Sequence, residues 1–381
     1  MMNLEELRLK IDKADDALIR AFCERMQVSA DIAAYKKEHG LPILDSSRER
    51  RKLKDVAEKA GTEMEDYATV LYELLFELSR AYQGHLSDEA TELTHEIEAA
   101  ISGTPSLFPP KAQVACQGVE GAYSQAACEK LFRSPSISYF STFDAVFSAI
   151  ENGFCQYGVI PLENSTAGSV NTVYDLMIRH NFYVARSVRI KVDHNLVAKK
   201  GTKLSDIREI VSHEQALNQC SSFLSTLKGV KITSCANTAE AAKLVAESGR
   251  TDLAALCSRN CLELYDLSCI KASVQNRNNN YTRFICISKN LQIFPGADRT
   301  SMMMILPHRA GSLYKVLARF YAMNINLIKL ESRPLPERDF EFMFYFDLET
   351  SIYSPEFTQL MGELQTISEE FKYLGSYSEV I

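Results

Sequence analysis

The sequence predicts a multidomain chain in which an all-α helical unit, an α/β domain and a small ferredoxin-like α+β domain follow one another. Three observations carry that prediction. From Leu4 to His39 the chain keeps helical periodicity with neither glycine nor proline. Between residues 111 and 290 short apolar strands alternate with helical stretches, the pattern of α/β layers on parallel sheets. After residue 300 the order reads strand, helix, strand, strand, helix, strand. A chain of 381 residues with 46% apolar content is long enough to give each part its own core.

In chain order, the first helix places Leu4, Leu7, Ile11, Leu18, Phe22, Ile32 and Tyr35 on a mainly apolar stripe. Its length of about 54 Å exceeds what a lone three-helix unit can cover, which points to a dimeric bundle. A turn at Pro42 separates it from helices expected over Ser47 to Ala60 and Met64 to Tyr82. The polar, acidic stretch from His85 to Pro110 reads as a linker with room for one short helix. Strands are expected at Gln113 to Cys116, Tyr157 to Ile160, Ile210 to Ser212, Lys231 to Ser234 and Leu253 to Cys257. A further boundary falls at Phe294-Pro295-Gly296. The resulting division is 1–86, a linker over 87–110, 111–290 and 300–381.

The formal charge of −7, with no basic block, argues against a nucleic-acid partner. No signal peptide and no apolar run long enough to span a bilayer is present, and the ten cysteines lack CxxC spacing. They read as reduced thiols of a cytoplasmic protein with no membrane partner. Seven scattered histidines show no metal-binding spacing, so neither a metal nor a cofactor is expected.

Arg8, Arg25 and Lys36 sit along the first helix. Residues 25 and 36 lie within about 20° of one face, whereas Arg8 is about 42 Å from Lys36 and must come from a second chain if all three serve one anion. The same cations also fit the solvated edge of a bundle helix. Asp45, Arg48 and Glu49 follow the turn, and Ser79 and Gln83 share a face of the third helix. In the α/β region, Gly121-Ala122-Tyr123-Ser124, the segment Glu163 to Ser169, and Ser212-His213 stand at strand-to-helix junctions. Free backbone N–H groups favour an anion there, although Ser124, Ser169 and Ser212 also fit as simple caps. Asn280-Tyr281-Thr282-Arg283-Phe284 closes that region, and Gly311-Ser312-Leu313-Tyr314 and Glu331-Ser332-Arg333-Pro334 mark the last.

Taken together, these motifs resemble the bifunctional P-protein family of phenylalanine biosynthesis: an all-helical chorismate mutase domain, a two-lobed, periplasmic-binding-protein-like prephenate dehydratase domain and an ACT regulatory domain. The resemblance implies that chorismate is clamped by Arg25 and a partner's Arg8. Lys36 and Gln83 would bind the ether oxygen and Glu49 the ring hydroxyl, with Asp45, Arg48 and Ser79 orienting the substrate. Donors that bind charge developing in the transition state govern rate, so Lys36 and Gln83 should matter most. In the dehydratase, Thr282 is the implied donor to the departing hydroxyl, and Asn164, Ser212 and Gln219 the implied cleft residues. Arg283 either pairs with a substrate carboxylate or braces the fold. Gly311, Ser312, Leu313, Glu331, Ser332, Arg333 and Pro334 match the phenylalanine-binding motifs, with the effector expected where two such domains of a homodimer or higher oligomer meet.

The chain departs from the family pattern at Val119, Ala122 and Asp266, where a proline, a threonine and a glycine are usual. Two rival functions remain on sequence grounds: arogenate as second substrate, and a non-catalytic aromatic-acid sensor.

Overall fold

The computed structural model describes residues 3–381 apart from 42–44, 87–90, 336–337 and 339–340, so the turn expected at Pro42 lies outside the described residues. The described chain divides into two compact units. One runs from the N-terminal helix to Glu96 and includes Met304–Ile328 and Ile352–Phe371; the other holds Ile97–Met303, Lys329–Ser351 and Lys372–Ile381.

The first unit is built on α1 (Leu4–Glu38), α2 (Ser46–Ala60) and α3 (Glu65–Leu86), with α3 packed along both others. A capping box starts α1: the Asn3 side chain accepts from the Glu6 amide, and Glu6 accepts from Asn3 N–H. Asp45 caps α2 in the same way by accepting from Arg48 N–H, and Gly61 at φ 75° ends it. Leu4, Leu7, Ile11 and Leu18 stay exposed along α1, so the predicted apolar stripe is left uncovered by its own chain. The expected linker is largely a three-turn helix, α4 (Glu92–Gly103).

Two α/β layers follow. The first carries β1 (Gln113–Gln117), α5 (Tyr123–Leu131), β2 (Ser136–Phe140), α6 (Phe143–Glu151), β3 (Tyr157–Asn164), β4 (Gly168–Ser169), α7 (Asn171–Arg179) and β5 (Tyr183–Lys191). The second carries β6 (Asn195–Lys199), β7 (Glu209–His213), α8 (Glu214–Gln219), α9 (Ser221–Leu224), β8 (Lys231–Cys235), α10 (Thr238–Glu247), β9 (Leu253–Cys257), α11 (Asn260–Leu264) and β10 (Leu267–Lys271). The chain then returns to the first sheet as β11 (Tyr281–Ser288), giving the orders β5-β11-β3-β1-β2 and β10-β6-β9-β7-β8.

The sheets are mixed rather than parallel. Pairing is parallel where helical crossovers join the strands, as in β1·β2, β1·β3, β7·β8 and β7·β9. It is antiparallel for β11 against β3 and β5, because β11 re-enters from the other lobe without a crossover helix to impose a direction. Separate apolar clusters hold the layers: Val114, Val159, Phe284 and Cys286 against Ala127 and Cys128 of α5, and Val197, Val211 and Ala255 against Ala239, Ala242 and Val245 of α10.

The last region runs β12 (Arg299–Ile305), α12 (Ser312–Ala322), β13 (Asn326–Pro334), β14 (Phe342–Glu349), α13 (Pro355–Ile367) and β15 (Glu370–Tyr377), the expected βαββαβ order, with sheet order β13-β14-β12-β15. Within the first unit, α12 and α13 pack on α3. A final strand, β16 (Glu379–Val380), pairs with the edge of β5. All ten cysteines are unpaired, and among the described residues no helix is long and apolar enough to cross a membrane.

Candidate active sites

A cavity of about 780 Å³ opens in the first unit. Seven of the eight residues singled out there line it: Arg25 and Lys36 from α1, Asp45, Arg48 and Glu49 from the start of α2, and Ser79 and Gln83 from α3. Arg8 does not; it is exposed elsewhere on α1. Arg25 Nη1 donates to Leu75 O at 3.2 Å and to Ser79 Oγ, and its guanidinium lies 5.6 Å from the Phe76 ring centre. Burial lowers the Arg25 pKa from a very high ordinary value, while Tyr72 and Glu49 oppose the shift. Gln83 Nε2 donates to Ser29 O at 3.1 Å and Ser29 Oγ at 2.6 Å. Both donor directions of that amide are therefore occupied, and donation to a ligand requires exchange of one. The Arg48 N–H bond leaves the exposed Asp45 carboxyl below its ordinary range.

Sequence reading missed Arg80, Tyr72, Phe76 and Ser29 around this cavity. A signal for part of that set existed, since Phe76, Ser79, Arg80 and Gln83 fall at i, i+3, i+4 and i+7 on one face of α3. Arg80 lies between two carboxylates, Glu49 and Glu77.

A second cavity of about 590 Å³ lies in the α/β region, lined by Thr166, Ala167, His213, Gln215, Gln219, Asn280 and neighbours including Arg277. Two of the three predicted junctions border it; Gly121 to Ser124 does not. A hydrogen-bond chain links residues of its wall to Asn164 and Thr282, which are not themselves among its lining residues. Gln219 donates to Thr166 Oγ1 at 2.9 Å and accepts from Asn280 at 3.0 Å. Thr166 Oγ1 donates to Asn164 Oδ1 at 2.7 Å, and Asn164 Nδ2 lies 2.7 Å from Asn280 Oδ1 and 2.9 Å from Thr282 Oγ1. His194, 2% exposed, bonds Gln219 through Nε2 at 2.9 Å; burial lowers its pKa and favours the neutral ring, with Gln219 and Asp193 opposing.

The surroundings of Ser212 speak against its expected substrate contact, and those of Arg283 favour bracing the fold over pairing with a substrate carboxylate. Ser212 is fully buried on β7, and its hydroxyl donates to Leu256 O at 2.7 Å, so it braces the sheet. Arg283 is also buried. It pairs with Asp347, with Glu163 at 3.3 Å and with Glu379 at 3.4 Å, and donates to Tyr377 Oη at 2.8 Å. Burial alone would lower its pKa, but Tyr377, Asp347 and Tyr345 raise it, so it stays cationic.

In the last region Gly311 adopts the left-handed conformation at φ 83° that starts α12, where a side chain would be strained. Ser312 and Leu313 form the first turn of that helix. Glu331 accepts from Ser169 Oγ at 2.5 Å, and Arg333 grips Asp175 of α7 at 2.8 and 3.0 Å; Ser332 is exposed and Pro334 ends β13. The family departures are accommodated. Asp266 sits at φ 51°, a conformation that suits the usual glycine, and pairs with Lys200, while Val119 and Ala122 pack on the core of the second layer.

Residues 7–84 match the chorismate mutase type II family and residues 114–292 the prephenate dehydratase family. The chain is 30% identical over 384 residues to a bifunctional chorismate mutase/prephenate dehydratase of Aquifex aeolicus, covering 100% of this chain and 99% of that relative. It is 35% identical over 279 residues to chloroplastic arogenate dehydratase/prephenate dehydratase 2 of Arabidopsis thaliana, covering 70% and 73%. A solved prephenate dehydratase from Arthrobacter aurescens, in complex with L-Phe, matches in fold with a TM-score of 0.65 at 24% identity, covering 70% of this chain and 90% of that one.

Proposed function

Since the chain belongs to the family of bifunctional chorismate mutases/prephenate dehydratases of phenylalanine biosynthesis, we propose that each of its two cavities carries one of the two reactions. The lining of the larger cavity supports this best: Arg25, Lys36, Arg48, Ser79 and Gln83 surround it with donors, and Asp45 and Glu49, at the start of α2, are among its carboxylates. Chorismate rearranges within one molecule; its ether C–O bond breaks as a C–C bond forms, with no nucleophile and no proton transfer. The site must therefore hold a dianion and stabilise charge on the ether oxygen. Arg25 and an Arg8 supplied by a second copy clamp the carboxylates, Lys36 and Gln83 donate to the ether oxygen, and Glu49 accepts from the ring hydroxyl. Asp45, Arg48 and Ser79 orient these groups.

In the second cavity the carbon–carboxylate bond of prephenate breaks, CO₂ leaves, and its electron pair moves through the ring to expel the hydroxyl, which takes up a proton and departs as water. Thr282 assists by hydrogen bonding to that hydroxyl, because a threonine is too weak an acid to surrender its proton outright without a relay. Asn164 and Gln219 position the surrounding loop. Phenylalanine is the effector, with Gly311 to Leu313 and Glu331 to Pro334 as its candidate contacts, and the protein acts in the cytoplasm as a homodimer or higher oligomer.

Purified full-length protein should convert chorismate to phenylpyruvate without added cofactor. Accumulation of prephenate alone would overturn the dehydratase assignment. The plant relative's name favours a second reading, arogenate as dehydratase substrate, and comparing turnover of prephenate and arogenate decides between them.

A further inference from the structure

We propose that Arg80 is a positioning residue for the rearrangement, holding the Glu49 carboxylate so that its second oxygen meets the ring hydroxyl of chorismate. The inference deepens the reading above and rests on it. Arg80 Nη1 pairs with Glu49 Oε1 across α2 and α3, and Nη2 pairs with Glu77 Oε1 one turn back on α3. Its side chain is 17% exposed, so this is no loose surface pair. The planar fork of a guanidinium transmits orientation: with one arm fixed, the direction of the other is set.

Glu77 provides the fixed arm. It is 5% exposed and ion-paired through its other oxygen with Arg319 Nη2 at 2.8 Å, with Lys315 Nζ 3.4 Å from Oε1. Arg319 is anchored in turn on Glu363 at 3.1 Å. Glu49 thus stands at the end of a charge chain that begins on α13 and α12, all within the first unit. Arg80 holds Oε1, and so orders a carboxylate that, in a freely rotating glutamate, would have to be ordered at each binding event.

The test is a double-mutant cycle on the full-length protein, reading kcat and KM for chorismate. Arg80→Leu should lower kcat/KM about 10- to 100-fold, and Arg80→Lys should recover much of that loss. In a Glu49→Gln background, Arg80→Leu should change kcat/KM less than about twofold, because the group it positions is already altered. An equal loss in both backgrounds would mean that Arg80 acts alone, for example on a substrate carboxylate, and would overturn the proposal. So would wild-type rates in Arg80→Leu. Should Arg80→Leu fail to fold, Arg80→Gln enters the same cycle with the same expected coupling. A wild-type rate in Glu49→Gln would remove the role of Glu49 and this inference with it, while absence of chorismate turnover by the native chain would remove the cavity assignment itself.

Discussion

Asn164 Nδ2 donates to Thr282 Oγ1 at 2.9 Å, and the two residues lie directly opposite one another on β3 and β11. Accepting this bond leaves the threonine its own proton to give, so the neighbour sets Thr282 as a donor. Asn164 Oδ1 meanwhile accepts from Thr166 and Ala167 N–H at 3.0 and 2.9 Å, which fixes the loop leading into the cavity. One amide thereby orients both the Thr282 hydroxyl and the loop that carries Thr166 and Ala167 of the cavity wall.

Thr282→Ala should therefore lower kcat for prephenate by about 10²- to 10⁴-fold while moving KM less than about threefold. Thr282→Ser, which keeps the hydroxyl, should retain much more activity. Phenylpyruvate formation under steady-state conditions measures both, and an undiminished rate in the alanine variant would remove Thr282 from the mechanism.

Arg283 leads to a stability prediction. Asp347 is fully buried and Glu379 nearly so, and Arg283 bridges them. Arg283→Met would leave these carboxylates without that cation, at a cost of about 3–5 kcal/mol. Urea unfolding of the variant should show this as a lowered midpoint. A loss below about 1 kcal/mol together with a raised KM for prephenate would restore the substrate-binding role for Arg283.

The contrast between Thr282 and Arg283 shows what could be read before folding. The helical cavity was legible because helix spacing is local: residues 25 and 36, or 79 and 83, share a face whatever surrounds them. The five strands expected between 113 and 257 were legible for the same reason, as short apolar runs bounded by turns. The burial of Ser212 was not, and for Arg283 two readings stayed open, because a hydroxyl or guanidinium bound for the interior carries no mark in the sequence; their partners Leu256 and Asp347 stand 44 and 64 residues away. The antiparallel entry of β11 escaped notice because strand direction depends on the route between lobes. Arg80 was passed over although its spacing placed it beside Ser79 and Gln83.

Lys372 makes stability depend on pH. Burial lowers its pKa from 10.5 to about 8, with Glu151 opposing, and its ammonium donates to Met177 O at 3.1 Å and to His180 O. Below about pH 8 both folded and unfolded chains carry the proton, and the folded state bears the full desolvation penalty. From about 8 to 10.5 the unfolded chain holds more protons than the folded one, so stability from this group rises with pH. Comparison with Lys372→Met isolates it: the stability of wild type relative to the variant should be flat below about pH 8 and climb above it. A difference independent of pH up to 10.5 would show that the lysine titrates normally.

The role proposed for Arg8 requires a second chain. It is exposed and absent from the lining of the cavity that contains Arg25 and Lys36, and Leu4, Leu7, Ile11 and Leu18 are exposed along the same helix. If two α1 helices cover one another, each cavity takes Lys36 from one chain and Arg8 from the other. Arg8→Ala and Lys36→Ala homodimers should then each lose chorismate turnover. A mixed dimer would pair the Lys36 of the first variant with the Arg8 of the second, rebuilding one intact site, while its other site lacks both groups. Mixing the purified variants under conditions of demonstrated subunit exchange should consequently restore activity in proportion to the heterodimer formed, at up to half the wild-type value per dimer. Activity that stays at the sum of the two variants would place Arg8 outside the site, and the exposed apolar stripe would then need another explanation.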